Sequence, residues 1–163
     1  MTLILFFLSG FSGLVYQVLW LRLLGLQFGV TAYAATAVLT CFMGGLAIGS
    51  LLADKIASHT DKPLMWYGFL EIGVGITALV GPPSIYALIF LSILMGASFP
   101  LIVKSLQKPA LAYGINTAGA IAGASVTGFY LIGNVGMQIS FWIAATLNII
   151  VGLVALWQAK RQF

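Results

Sequence analysis

Charged side chains are scarce in this sequence, which has seven Lys or Arg, three Asp or Glu and one His among 163 residues. They make up 6% of the chain, whereas an ordinary soluble domain has about 25%. This scarcity excludes an ordinary soluble domain. The net charge is +4, but the basic residues lie at the ends of apolar runs and not along one face, so we expect no nucleic-acid partner.

Cysteine and histidine are almost absent. Cys41 is the only cysteine, which rules out an intrachain disulfide, and its apolar surroundings favour a small buried side chain. His59 is the only histidine, and with no second His and no Cys nearby we expect no metal site. The sequence contains no nucleophile–base–acid set, phosphate loop or nucleotide fingerprint, so we predict a protein that is not an enzyme and has no cofactor.

Apolar residues are abundant instead, at 61% of the chain with a mean hydropathy of +1.11. Six apolar runs have about the 20 residues that a membrane-spanning helix needs. The sequence predicts an all-α integral membrane protein, a single membrane domain over residues 1–163. Its six transmembrane helices are expected at about 2–24, 30–53, 64–80, 84–103, 110–132 and 137–157. We read the first run as an uncleaved helix and expect any soluble catalytic domain on another polypeptide.

Basic residues are distributed unevenly between the two predicted sides of the membrane. Arg22 stands alone on one side. The other side holds Lys55, Lys62, Lys104, Lys108, Lys160 and Arg161. The positive-inside rule then predicts that both termini are cytoplasmic, in a multi-pass protein of the cell (inner) membrane.

Glu71 is the acidic residue inside a predicted span, within the glycine-containing residues 68–75. A carboxylate in hydrocarbon costs several kcal/mol unless it is paired, hydrated or protonated. One interpretation is a proton- or cation-binding group of a transporter. The other is a protonated side chain that forms a hydrogen bond between helices.

Asn116 and Thr117 are predicted to lie at nearly the same depth as Glu71. Counting 1.5 Å per residue puts Glu71 ~10 Å and Asn116 ~9 Å from the cytoplasmic edge. These residues would complete a polar pocket with Glu71, although hydrogen bonds between helices are a commoner use of such side chains.

Tyr16, Gln17 and Trp20 form another candidate site in the outer half of the first helix. Aromatic faces attract cations, so the three side chains could cradle a cationic substrate. The alternative for Trp20 is an aromatic anchor at the membrane interface.

Small residues recur at helical spacing in two runs. Gly45 and Gly49 share one face of the second helix, and Gly119 and Gly123 form a GxxxG pair in the fifth. Such faces let helix backbones approach closely. The pattern leaves open whether Gly119 and Gly123 pack within one protomer or between two.

Residues 50–59 resemble the signature loop of the major facilitator superfamily, in which an acidic–basic pair follows a small-residue helix end. The pair here is Asp54 and Lys55. The resemblance implies a gating role for them.

A wider likeness covers residues 7–13, 16–22, 49–53, 70–73, 94–101 and 116–120. In these stretches the chain resembles the membrane domain of the fused transporter/spermidine-synthase-like family, although Gln17 stands where that family commonly has glutamate. The likeness implies a six-helix half of a facilitator fold and a polyamine or other small organic cation as substrate.

Two functions remain open at this point. A half-size transporter would need a second copy, as a parallel homodimer, or a related six-helix half to enclose a pathway. The alternative is a membrane anchor or assembly subunit for a separately encoded, aminopropyltransferase-like partner, which the paucity of polar residues in the spans favours.

Overall fold

The computed structural model describes residues 1–29, 31–80 and 84–161 as a bundle of long helices, with no strand among these residues. The helices are α1 (Thr2–Phe28), α2 (Ala32–His59), α3 (Pro63–Val80), α4 (Ile85–Leu106), α5 (Pro109–Asn134) and α6 (Gly136–Lys160). All six are long and apolar enough to cross a membrane, as predicted, which indicates a multi-pass membrane protein. Within α5, a π-helical segment occupies Thr127–Leu131.

The helix ends differ from the predicted ones mainly in α2. This helix continues to His59 and is followed by Thr60, so residues 54–59 are helical and do not form a loop. Hydropathy marks where a chain leaves the hydrocarbon, and a helix can continue into water beyond that point. The predicted start of the second helix at 30 and the short connection at 81–83 between the third and fourth predicted helices lie outside the described residues.

Glycines bring the helices together in three close pairs, because each lacks the Cβ that would keep two backbones apart. An added Cβ at Gly49 of α2 would overlap the Ile93 carbonyl oxygen of α4, and one at Gly119 of α5 would overlap the Phe7 carbonyl oxygen of α1. An added Cβ at Gly123 would likewise overlap the Phe11 carbonyl oxygen of α1, and one at Gly45 would overlap the Ser92 hydroxyl oxygen of α4. The α2–α4 and α1–α5 pairs are parallel, since the contacting residues advance in the same direction along the two helices of each pair.

The third pair, α3–α6, is antiparallel. Gly68 faces Gly152, whereas Gly75 faces Ala145 and Ile149. Consequently α3 begins and α6 ends at the same end of the bundle, which we call the basic end because it also carries the six clustered Lys and Arg residues.

Two apolar clusters fill the core and leave a polar layer between them. Towards the basic end, one cluster includes Phe6, Tyr67 and Val151. The other includes Val15, Val74 and Ala144. The segments of α1, α3 and α6 between these residues meet in the middle of the bundle, and they carry the buried polar side chains Ser9, Ser12, Glu71 and Asn148.

Candidate functional site

Glu71 lies in this polar layer with only 1% of its surface exposed. Ser9 Oγ of α1 donates a hydrogen bond to Oε1 at 2.6 Å, and Asn148 Nδ2 of α6 donates to Oε2 at 2.5 Å. The carboxyl group therefore connects three helices. Both of its oxygens have donors from within the chain, which is how a buried carboxyl group avoids the cost of lost hydration.

The hydrogen-bond network continues through Asn148 to Tyr16. The Tyr16 hydroxyl donates to Asn148 Oδ1 at 3.1 Å, so the amide of Asn148 is both donor and acceptor within one chain of bonds. Tyr67 and Ser98 also lie close to the carboxyl group of Glu71. The Tyr67 hydroxyl donates to the Leu5 carbonyl oxygen at 3.4 Å. We call Glu71, Ser9, Asn148 and Tyr16 the carboxyl network.

Ser9 and Asn148 were not among the site residues chosen from the sequence. Ser9 is seven residues from Thr2, or ~10 Å along the helix, which is the depth predicted for Glu71. A count of polar residues at equal depth would therefore have found Ser9. The role of Asn148 as a donor to Glu71 was not predictable in this way, because it depends on which helix packs against α3.

Tyr16→Phe tests the far end of the network. The variant leaves Asn148 Oδ1 without its donor, and we expect the free energy of unfolding to fall by about 1 kcal/mol. Titration with SDS in mixed micelles measures this difference. Tyr86→Phe, at an exposed tyrosine of α4, is the control and should change stability by much less; equal losses would show that the bond to Asn148 contributes nothing.

A groove of about 410 Å³ lies on the other side of α1 from Glu71, between α2 and α5. Its floor is formed by α1 and α4. The lining is mainly apolar, and its polar side chains are Ser9, Ser50, Ser98, Tyr113 and Asn116. Ser9 and Ser98 belong both to this lining and to the surroundings of Glu71, so two hydroxyl groups separate the buried carboxyl group from the groove.

Asn116 lies on the groove and not in the carboxyl network. Its side-chain oxygen is close to Gly10, where an added Cβ would approach it to 2.7 Å, while the preceding Ser9 points to Glu71. Asn116 and Glu71 are thus at the same level on two sides of α1. Thr117 is half-buried beside Asn116 and does not line the groove.

The aromatic candidates of α1 are separated from the groove. Trp20 is 3% exposed and packs edge-on against Phe141 with ring centroids 4.8 Å apart, and its Nε1 donates to the Ser84 carbonyl oxygen at 3.3 Å. A side chain buried in this way does not anchor the protein at a membrane surface. Gln17 is half-buried nearby, and Tyr16 contributes its hydroxyl to the carboxyl network.

At the basic end, Asp54 and Lys55 are exposed on the last turns of α2. Neighbouring residues on a helix do not face each other, so the two side chains are poorly placed to pair. Lys104 makes the connection between helices instead. Its Nζ donates to the carbonyl oxygens of Ser58 at 3.2 Å and Thr60 at 2.8 Å, and so binds the end of α4 to the end of α2.

Comparison with known proteins adds no further assignment. No protein-family model matches the chain, and no curated protein or solved structure matches it.

Proposed function

We propose that the chain is a half-size membrane transporter that works as a parallel homodimer, with the groove of each protomer facing the other. The observation that carries this proposal is the groove itself, which is open on the side of the bundle flanked by α2 and α5. Its volume of about 410 Å³ is within the range of about 300–1,000 Å³ that small-molecule sites occupy. The substrate class, a polyamine or another small organic cation, comes from the family resemblance in the sequence.

The exposed faces of α2 and α5 support a second copy on this side. These helices bury the smallest share of their spans, 22% each, against 50% for α1. Both expose small residues, including Ala47 on α2 and Ala118 on α5. Gly44 and Gly114 have open space where a Cβ would be. Small residues are enriched where membrane helices approach each other closely, so these faces suit a helix of a partner.

Glu71 supplies the coupling group in this proposal. A cation in the groove next to Ser9 would lie near the carboxyl group in a medium of low dielectric, where the attraction between opposite charges is much stronger than in water. Loss or gain of a proton by Glu71 would then change the affinity of the groove for the cation. Ser9 and Ser98 transmit this effect because their hydroxyl groups can reorient between the carboxyl group and the groove.

Transport of a small organic cation into proteoliposomes tests the coupling. We expect uptake of radiolabelled spermidine driven by a pH gradient, and we expect Glu71→Gln to reduce it at least about tenfold, since loss of a charge interaction worth 1.4 kcal/mol is already a factor of ten. Asn116→Ala should weaken uptake through a raised KM. Asn134→Ala, at an exposed asparagine outside the groove, is the matched control.

The arrangement of the dimer can be tested separately. A twofold axis along the membrane normal in front of the groove places α2 of one protomer against α5 of its partner. Ala47→Cys with Ala118→Cys, in a Cys41→Ala background, should therefore form a covalent dimer on oxidation. Ile76→Cys with Ile143→Cys, on exposed positions of α3 and α6, should not. A monomer in native mass spectrometry would exclude the homodimeric carrier.

A second candidate function is that of an assembly subunit for a separately encoded partner. It is favoured by one observation: both oxygens of Glu71 already accept hydrogen bonds within the chain, as in a carboxyl group that only joins helices. This function predicts a stable complex with another polypeptide and no effect of Glu71→Gln on the activity of that partner.

A further inference from the structure

A second groove, of about 470 Å³, lies on the outer surface of the α3–α6 pair at the basic end. It is lined by two lysines, Lys62 and Lys160, and otherwise mainly by apolar side chains that include Phe69, Leu153 and Trp157. The groove is separate from the carboxyl network and from the groove between α2 and α5. Its occupant is therefore a question independent of the proposed transport.

The antiparallel packing of α3 and α6 gives this groove a charged end and an apolar end. Lys62 immediately precedes α3 and Lys160 is the last residue of α6, so both lysines belong to the same end of the groove. Phe69 and Leu153 are each seven residues further into the helices, or ~10 Å deeper along the bundle. Both are about half exposed, at 52% and 55%.

A third cation lies beside the charged end. The guanidinium carbon of Arg161 is 3.8 Å from the centroid of the Trp157 ring, a cation–π contact that holds both side chains at the end of α6. The acidic residue nearest to these three cations along the chain is Asp61, which precedes Lys62. The local charge is therefore positive, next to an apolar surface that extends towards the hydrocarbon.

We propose that this groove binds an anionic phospholipid, with its phosphate between Lys62 and Lys160 and the upper part of one acyl chain along Phe69 and Leu153. Basic pockets between membrane helices select anionic headgroups by charge. The apolar end of the groove explains why a lipid fits better than a soluble anion, which would leave Phe69 and Leu153 uncovered. Zwitterionic lipids would match the apolar surface but gain little from the lysines.

Native mass spectrometry of the intact chain, delipidated in detergent and titrated with defined lipids, tests the proposal. Phosphatidylglycerol should bind at lower concentrations than phosphatidylcholine with the same acyl chains. Lys160→Gln should weaken phosphatidylglycerol binding about fivefold, the effect of one basic residue near a membrane surface. Lys108→Gln removes an equal charge at the same end, between α4 and α5, and should leave the binding unchanged.

A second variant tests the apolar end. Leu153→Trp adds bulk to an exposed position in the groove without changing charge, so it should reduce binding of phosphatidylglycerol, while circular dichroism shows that the helices are retained. The proposal is overturned by equal binding of the two lipids, by equal effects of Lys160→Gln and Lys108→Gln, or by unchanged binding in Leu153→Trp. Displacement of the lipid by glycerol phosphate at similar concentrations would overturn it too, since it would identify a site for soluble anions.

Discussion

Glu71→Ala is expected to lower the free energy of unfolding by about 2–4 kcal/mol. Hydrogen bonds between membrane helices contribute only about 0.6 kcal/mol each on average, so the two lost bonds explain the smaller part of this effect. The larger part comes from Asn148, whose buried amide loses its acceptor at a cost of about 1–3 kcal/mol. Titration of purified protein with SDS in mixed micelles, followed by circular dichroism, measures the loss.

Glu71→Gln is the matched control for this prediction. Its carbonyl oxygen can still accept from Asn148 Nδ2, and its amide can donate to Ser9 Oγ, so each buried polar group keeps a partner. The loss of stability should be less than about 1 kcal/mol. If Glu71→Ala and Glu71→Gln lower the free energy of unfolding equally, the hydrogen bonds of Glu71 do not stabilise the bundle. The pair also separates functions, since the transporter proposal requires Glu71→Gln to fold normally and fail in cation uptake.

Gly49→Ala and Gly119→Ala are expected to have the other large effect, a loss of about 1–3 kcal/mol each. An added Cβ at either position would overlap a backbone carbonyl oxygen, of Ile93 or of Phe7, and a backbone cannot move aside as a flexible side chain can. The helix pair must separate instead. The same titration in mixed micelles measures the change for each variant.

Gly44→Ala and Gly114→Ala, on the same two helices, are the controls. An added Cβ at these positions meets no atom within 4 Å, and alanine favours a helix over glycine by up to about 1 kcal/mol. These variants should therefore be neutral or slightly stabilising as monomers. Equal losses at Gly49 and Gly44, or at Gly119 and Gly114, would contradict close packing at the two glycines. Because Gly119 and Gly123 contact α1 of the same chain, substitutions at these two positions test packing within one protomer.

Part of the candidate site follows from sequence and part does not. Glu71 stands out because a carboxyl group in an apolar run is costly, and this can be seen from neighbouring residues alone. Its partners Ser9 and Asn148 are 62 and 77 residues away along the chain. Serine and asparagine side chains occur in several of the spans. The neighbouring residues in the sequence therefore do not distinguish the ones that reach the carboxyl group.

The positions of Trp20 and Lys104 show the same limit. A Trp near the end of an apolar run is typical of a membrane interface, yet Trp20 is covered by Phe141 of α6. Lys104 contributes to the charge count that predicts orientation, but its hydrogen bonds to the end of α2 depend on the parallel packing of α2 and α4. In both cases the neighbouring helix decides the environment of the side chain.

The sequence alone was enough to predict six helices that are long and apolar enough to cross a membrane, which the described residues contain, because hydropathy and helix length are properties of each run taken separately. It also determined that Glu71 needs partners and that glycine faces permit close packing. The folded chain was needed to see which helices pair, which donors reach Glu71 and where the two grooves open. These features arise from contacts between residues that are far apart in the chain. Shape complementarity between glycine faces selects among the possible helix pairs, and no single run encodes that complementarity.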